Sequence, residues 1–264
     1  MAVASSSVGG SPTVVAPPGV VAPPAVDEVF AQPIDRVDDF TFNKEVAGVF
    51  DDMVSRSVPQ YAEIQRMLAE LTAYFATPGS NIYDLGCSTG TTLALVDKAL
   101  PVAANLIGVD NSAEMLEKCR SKLATLGLGN TVELRRADLD QGVEIHDASV
   151  VLLVLTLMFV RPLYREKLMR SICAGLQENG CLLLVEKVLG DGSLFNRLFI
   201  ERYYAYKRRR GYSELEIAQK REALENVLIP YRLSENRDLL LGAGFREVEV
   251  FFKWYNFVGI VAMK

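Results

Sequence analysis

Tyr83-Asp84-Leu85-Gly86-Cys87-Ser88-Thr89-Gly90 closes a short apolar run, and about twenty residues later Leu106-Ile107-Gly108-Val109-Asp110 closes another. Asn81 to Leu85 has the length and apolarity of a buried strand. Gly86 and Gly90 permit a tight turn with backbone close to a ligand, and Thr91 to Ala99 resumes helical periodicity. The turn therefore sits at a helix N-terminus, where free N–H groups can meet a carboxylate or phosphate. Asp110 is positioned to accept ribose hydroxyls, as the acidic residue does in dinucleotide folds, and no cation follows it to receive a 2′-phosphate. Strand, glycine turn and a second strand ending in a carboxylate make a site for a nucleoside-bearing cofactor. Taken alone, the glycine turn is equally compatible with an ordinary strand-to-helix connection that binds nothing.

The chain has 264 residues, 50% of them hydrophobic, and a formal charge of -5, which suits one soluble domain with a sizeable core rather than a nucleic-acid-coating protein. Lys207-Arg208-Arg209-Arg210 is a local basic cluster that reads as a solvated helix end. Cys87, Cys119, Cys173 and Cys181 lack paired C-x-x-C spacing, so neither zinc nor a disulfide framework is expected, and no metal site is assigned. They read as small buried residues of a reducing, cytoplasmic protein, Cys87 also lying in the glycine turn. His146, the one histidine, falls in a polar stretch and reads as a surface residue. Residues 1–33 are rich in Ala, Val, Pro, Ser and Gly and read as a disordered tail ahead of a domain spanning 34–264. The first part of that tail lacks the positive start and unbroken apolar core of a secretory peptide, and the arginines of a transit peptide. No run is long enough for a membrane span.

Periodicity supplies the rest of the outline. Phe40 to Phe75 reads as helical with a break at Pro59. Strands near 81–85, 106–110, 131–135, 149–154 and 181–187 alternate with helices at 90–99, 112–125 and 162–176. Such alternation predicts an α/β, Rossmann-like, mostly parallel sheet covered on both faces, with ligands at the carboxyl ends of its strands. Two further helices, Leu194 to Arg209 and Tyr212 to Val227, joined at Gly211, form an insertion after the fifth strand. Strands near 246–252 and 256–263 form an antiparallel C-terminal hairpin.

The glycine spacing is Gly-x-x-x-Gly rather than Gly-x-Gly-x-x-Gly, which argues against a nicotinamide enzyme. Asp84-Leu-Gly-Cys-Ser-Thr-Gly90, Gly108-Val-Asp110-Asn-Ser112 and Arg136-Ala-Asp138-Leu139 resemble successive motifs of the class I S-adenosylmethionine-dependent methyltransferases. Longer motifs narrow the likeness. Phe50-Asp-Asp-Met-Val-Ser-Arg-Ser57-Val-Pro-Gln-Tyr61, Arg210-Gly-Tyr-Ser-Glu-Leu-Glu-Ile217, Gln219-Lys-Arg221 and Leu224-Glu-Asn226-Val227 resemble the carboxy-S-adenosylmethionine synthase family, from about Ile34 to the C-terminus.

That resemblance implies a homodimeric, cytoplasmic transferase that needs no direct contact with tRNA. It converts S-adenosyl-L-methionine and prephenate to carboxy-S-adenosyl-L-methionine and phenylpyruvate, with a sulfonium ylide as nucleophile. A separate enzyme then uses the product in wobble-uridine tRNA modification. It also implies roles for residues of this chain. Arg221 takes the product carboxylate, and Tyr61 offers a hydroxyl near the cofactor. Gly86, Cys87 and Ser88 lie at the methionine end, Asp110 and Asn111 at the ribose and adenosine, and Asp138 and Leu139 at the adenine edge. Val154 stands where the family commonly has Asn, and Met158 where it has Gln, which removes amide groups from the pocket. An ordinary methyltransferase acting on a small molecule or tRNA, and a non-enzymatic cofactor-binding protein, are the competing readings. Arg221 has a competing role too, as a helix-surface partner of Glu225 at four-residue spacing.

Overall fold

In the computed structural model, which describes residues 25–264, one seven-stranded sheet organises the chain. Its strands are β1 (Asn81–Leu85), β2 (Asn105–Asp110), β3 (Thr131–Arg136), β4 (Ala148–Val154), β5 (Leu176–Lys187), β6 (Glu247–Trp254) and β7 (Phe257–Met263), in the order β3-β2-β1-β4-β5-β7-β6. The first five run parallel, and β7 joins β5 and β6 antiparallel. Two helices, α1 (Lys44–Ser57) and α2 (Tyr61–Phe75), precede the sheet. Helices α3 (Thr91–Ala99), α4 (Ala113–Leu126) and α5 (Pro162–Gly175) follow β1, β2 and β4.

Alternate residues of each strand feed two cores. Tyr83, Leu85, Val151 and Leu184 face α5, whereas Ile82, Leu106, Leu152 and Leu183 face α2 and α3. Burial on both faces explains why the central strands are apolar runs without polar alternation. At Asn43 the side chain accepts from Val46 N–H at 3.0 Å, and Ser112 accepts from Met115 N–H at 3.1 Å, so α1 and α4 start where short polar side chains satisfy otherwise free donors.

After β5 come α6 (Ser193–Arg209) and α7 (Glu214–Leu224), turned at Gly211, where φ is +91°. Ser213 and Glu216 form a reciprocal capping box that fixes the start of α7. An eighth helix, α8 (Leu233–Ala243), has no counterpart in the sequence expectation. Its first turns are Ser, Glu, Asn, Arg and Asp and its leucines are consecutive, which blurs the 3.6-residue pattern. Packing of Leu240 and Ala243 in the α5-side core holds it.

Of the segment read as a tail, residues 1–24 lie outside the described residues, but packing begins ahead of Ile34. Asp27 is 2% exposed and Phe30 is buried. Buried Gln219 of α7 donates to the carbonyls of Phe30 and Gln32, both at 2.9 Å, and accepts from Ile34 N–H at 2.7 Å. One amide side chain thus satisfies three backbone groups of an irregular segment. Among the described residues no helix is long and apolar enough to cross a membrane.

Candidate functional site

The strand order reverses between β1 and β4, and the crevice beyond their carboxyl ends is where an open α/β sheet binds ligands. Here it is a cavity of about 490 Å³, roofed by α1, α6 and α7. Every residue singled out from the sequence reaches its lining: Tyr61, Gly86, Cys87, Ser88, Asp110, Asn111, Asp138, Leu139, Val154 and Arg221, with Met158 beside them.

The glycine turn is held open by its neighbours. Gly86 has φ +84°, and a Cβ there would lie 2.3 Å from Thr156 Oγ1, so the segment just past β4 packs directly on the turn. Ser88 follows at φ +47° and donates its N–H to Asp110 Oδ2 at 2.9 Å, while Ser112 N–H donates to Oδ1 at 2.9 Å. One carboxylate therefore joins the turn after β1 to the turn after β2. Desolvation nevertheless raises its pKa above the ordinary value. Leu155, just past β4, also has a positive φ, +59°, so two non-glycine residues of the cavity wall hold conformations that the surrounding fold must impose.

Asp51 of α1 is a residue the sequence reading did not single out. Its Oδ1 accepts from Thr89 Oγ1 at 2.6 Å and from Lys122 Nζ at 2.9 Å, and it also takes Thr91 Oγ1 at 3.3 Å, so it clamps α1 over the first turn of α3. Its acidic character amid a helical segment gave no local signal, because its partners lie 38 to 71 positions away. Asp84, beneath the turn, is 1% exposed, and neither of its carboxylate oxygens has a hydrogen-bond partner among the described residues. Burial and the neighbouring Asp110 push its carboxyl up to about 7.

Tyr61 opens α2 half-buried in the wall. Desolvation, with Asp51 and Asp84 nearby, pushes its hydroxyl well above the usual range, so it is a neutral donor. Asn111 and Asp138 are exposed at the far end, and Asp138 Oδ1 accepts from Asp140 N–H at 3.0 Å. Arg221 stands exposed at the mouth from α7 and forms no ion pair among the described residues; the pairing with Glu225 is absent. A guanidinium without a carboxylate at the rim of a cavity can take an external carboxylate bidentately.

The basic cluster at the end of α6 departs from expectation. Arg208 pairs with Glu214 on the surface, but Lys207 is only 6% exposed and lines the cavity. Its Nζ lies over two aromatic rings, 5.0 Å from the Tyr203 ring centroid and 5.9 Å from that of Tyr212. Four consecutive basic residues gave no sign of which one the helix turns inward. The four cysteines are buried and unbridged, and His146 is exposed. Among the described residues no group of acidic, histidine or cysteine side chains could hold a metal ion.

Comparisons with known proteins agree with this architecture. Residues 82–180 match the family described as "Methyltransferase domain". A carboxy-S-adenosyl-L-methionine synthase of Methylococcus capsulatus is 63% identical over 90% of this chain and 99% of its own. One of Wolinella succinogenes is 44% identical over 90% of this chain and 98% of its own. Among solved structures, an O-methyltransferase of Nostoc punctiforme, so far assigned only provisionally, superposes with TM-score 0.60 at 18% identity, covering 84% of this chain and 59% of that one. A provisionally assigned S-adenosyl-L-methionine-dependent methyltransferase of Methanococcus maripaludis gives 0.57 at 17% identity, over 86% and 95% of the two chains. At those identities the structural likeness carries the fold.

Proposed function

The chain belongs to the carboxy-S-adenosyl-L-methionine synthase family, and from that premise we propose that it converts S-adenosyl-L-methionine and prephenate to carboxy-S-adenosyl-L-methionine and phenylpyruvate. The observation that carries this reading is Arg221, without an ion-pair partner among the described residues, at the rim of the cavity that the glycine turn and Asp110 also line. Methyl transfer as such does not call for such a group, whereas a product carboxylate beside a sulfonium is matched by a fixed cation.

S-adenosyl-L-methionine fits the donor set. Asp110 supplies an acceptor for ribose hydroxyls, Asn111, Asp138 and Leu139 border the nucleobase, and Gly86, Cys87 and Ser88 flank the methionine portion. Above about pH 7 Asp84, without a hydrogen-bond partner among the described residues, is ionised and adds negative potential near a ligand with two positive centres. Tyr61 contributes a neutral O–H donor. In the reaction, prephenate loses carbon dioxide and its ring hydroxyl to become phenylpyruvate. The departing hydroxide takes one proton from the sulfonium methyl as water, and the freed carbon bonds to carbon dioxide. No external base is required by that balance.

The product would then supply the carboxymethyl donor for wobble-uridine tRNA modification, in the cytoplasm, from a homodimer that need not touch tRNA itself. The test is incubation of purified protein with S-adenosyl-L-methionine and prephenate, followed by mass spectrometry. Carboxylated sulfonium and phenylpyruvate support the reading. Their absence, with S-adenosylhomocysteine accumulating on another acceptor, sinks it in favour of an ordinary methyltransferase on a small molecule or tRNA. One observation favours that second reading: Val154 and Met158 line the cavity with alkyl surface where the resemblance leads one to expect amides. Arg221→Leu is expected to abolish carboxylated product and leave S-adenosyl-L-methionine affinity within about threefold, because a lost charge-assisted contact acts only on the group it touches.

A further inference from the structure

Arg221 is not the cavity's only uncompensated cation. Lys187 ends β5 and Lys207 lies in the last turn of α6, and both line the cavity beside Tyr203. Lys187 Nζ lies 5.0 Å from the Tyr203 ring centroid, the same distance as Lys207 Nζ. Neither amine has a carboxylate within 4 Å or a hydrogen-bond acceptor among the described residues. A third lysine, Lys220 of α7, differs: it is 3.4 Å from Asp27 Oδ2, and Tyr212 donates its hydroxyl to the same oxygen at 2.6 Å. Asp27 is thus already engaged: it contacts Lys220 directly and acts on Lys207 only as a more distant attraction that burial outweighs.

Burying an ammonium without a partner is unfavourable unless something neutralises it. Burial lowers Lys187 to about 8; burial together with Lys220 and Lys187 lowers Lys207 to about 7. Aromatic faces offset part of this, but a ring quadrupole holds a cation without discharging it. Two amines left lining a cavity of about 490 Å³ therefore form a receptor for an anion.

We propose that Lys187 and Lys207, set about the face of Tyr203, form a second carboxylate subsite of the cavity, which holds the carboxylate that the donor keeps while Arg221 takes the one that is transferred. The inference rests on the proposed reaction, whose donor carries two carboxylates and whose keto-acid product retains one. It makes the site selective for dianionic donors: a monocarboxylate fills one subsite and leaves the other's charge unmet. It also assigns separate tasks to cations on different elements, with Arg221 on α7 reporting on the transferred group and the lysines of β5 and α6 on the donor's side chain.

The test uses the full chain loaded with S-adenosyl-L-methionine, titrated calorimetrically with prephenate and, separately, with phenylpyruvate. Lys187→Met and Lys207→Met are each expected to weaken both ligands by roughly ten- to a hundredfold, the range for a lost hydrogen bond to a charged group. They should raise KM for prephenate more than they lower kcat, and leave S-adenosyl-L-methionine affinity within about twofold. Arg221→Leu should weaken prephenate but spare phenylpyruvate. Lys187→Gln and Lys207→Gln serve if a methionine variant fails to fold. Prephenate and phenylpyruvate affinities unchanged in the lysine variants, or lost in step with S-adenosyl-L-methionine affinity, overturn the subsite. Wild-type protein that binds prephenate through the lysines yet forms no carboxylated product overturns the proposed reaction and leaves the subsite standing.

Discussion

Asp84→Asn exposes how much the fold tolerates at the floor of its site. Asp84 is almost wholly buried, both carboxylate oxygens lack partners among the described residues, and its carboxyl is pushed from the ordinary 3.8 up to about 7. A carboxyl whose folded value is raised binds its proton more tightly in the native state than in the unfolded chain. Native stability is therefore lost as pH rises between the two values and is level above the upper one. Each pH unit in that window is worth about 1.36 kcal/mol. From about pH 5.5 to about pH 8.5 the ligand-free wild type should thus lose about 2 kcal/mol through this group, about four-fifths of it by about pH 7, where the carboxyl is half-ionised. Asparagine keeps the shape and removes the titration, so the variant's stability relative to wild type should climb by about 2 kcal/mol across the window. Any fixed effect of the amide on packing is the same at each pH and cancels from that comparison. The assay is urea unfolding of ligand-free protein at about pH 5.5, 7 and 8.5. A stability difference that stays constant would mean Asp84 is ionised throughout and otherwise compensated, which would refute the argument.

Other outcomes follow from the same geometry. Gly86→Ala should destabilise by at least 1–2 kcal/mol from the left-handed backbone alone, since φ is +84° and its Cβ would strike Thr156; thermal melting should show the loss, and adding Thr156→Ala should restore part of it. Asp110→Ala removes the acceptor for both Ser88 and Ser112 N–H, and should lower stability by about 1–3 kcal/mol while weakening S-adenosyl-L-methionine binding in calorimetry. Lys207 behaves oppositely to Asp84. Its folded value, about 7, lies below the ordinary 10.5, so its burden on the fold is greatest below about pH 7 and fades toward 10.5; Lys207→Met should stabilise most at acid pH in the same urea series. Val154→Asn is expected to leave S-adenosyl-L-methionine affinity within about threefold and to alter KM for prephenate if the wall beside Thr156 meets the donor.

The sequence alone specified the sheet, its strand ends and the glycine-turn and strand-end residues that line the cavity. Those features are local: a strand is legible from a run of apolar residues, a helix from its 3.6-residue period, and a ligand turn from glycines at fixed spacing before a helix, as at Gly86 and Gly90. Asp110 belongs to the same class, because it closes a strand whose neighbour is the next in sequence. The helical insertion and the C-terminal hairpin were legible for the same reason, whereas α8 was not, its polar opening and consecutive leucines carrying no clear period.

Tertiary structure decided which charged residues turn inward. Lys207 sits among three other basic residues; Tyr203, one turn earlier on the same helix, lies 5.0 Å from its Nζ, but only the packing of α6 over the cavity, which brings Tyr212 to 5.9 Å, buries it. Asp27 is 193 positions from Lys220 and 185 from Tyr212, so nothing near it in sequence announces that it packs against them. Asp51 reaches Lys122 across 71 positions. Local sequence sets backbone conformation through short-range sterics and hydrogen bonding. The compensation of a buried charge depends on groups brought together from distant parts of the chain, and that is settled only once the helices are packed over the strand ends.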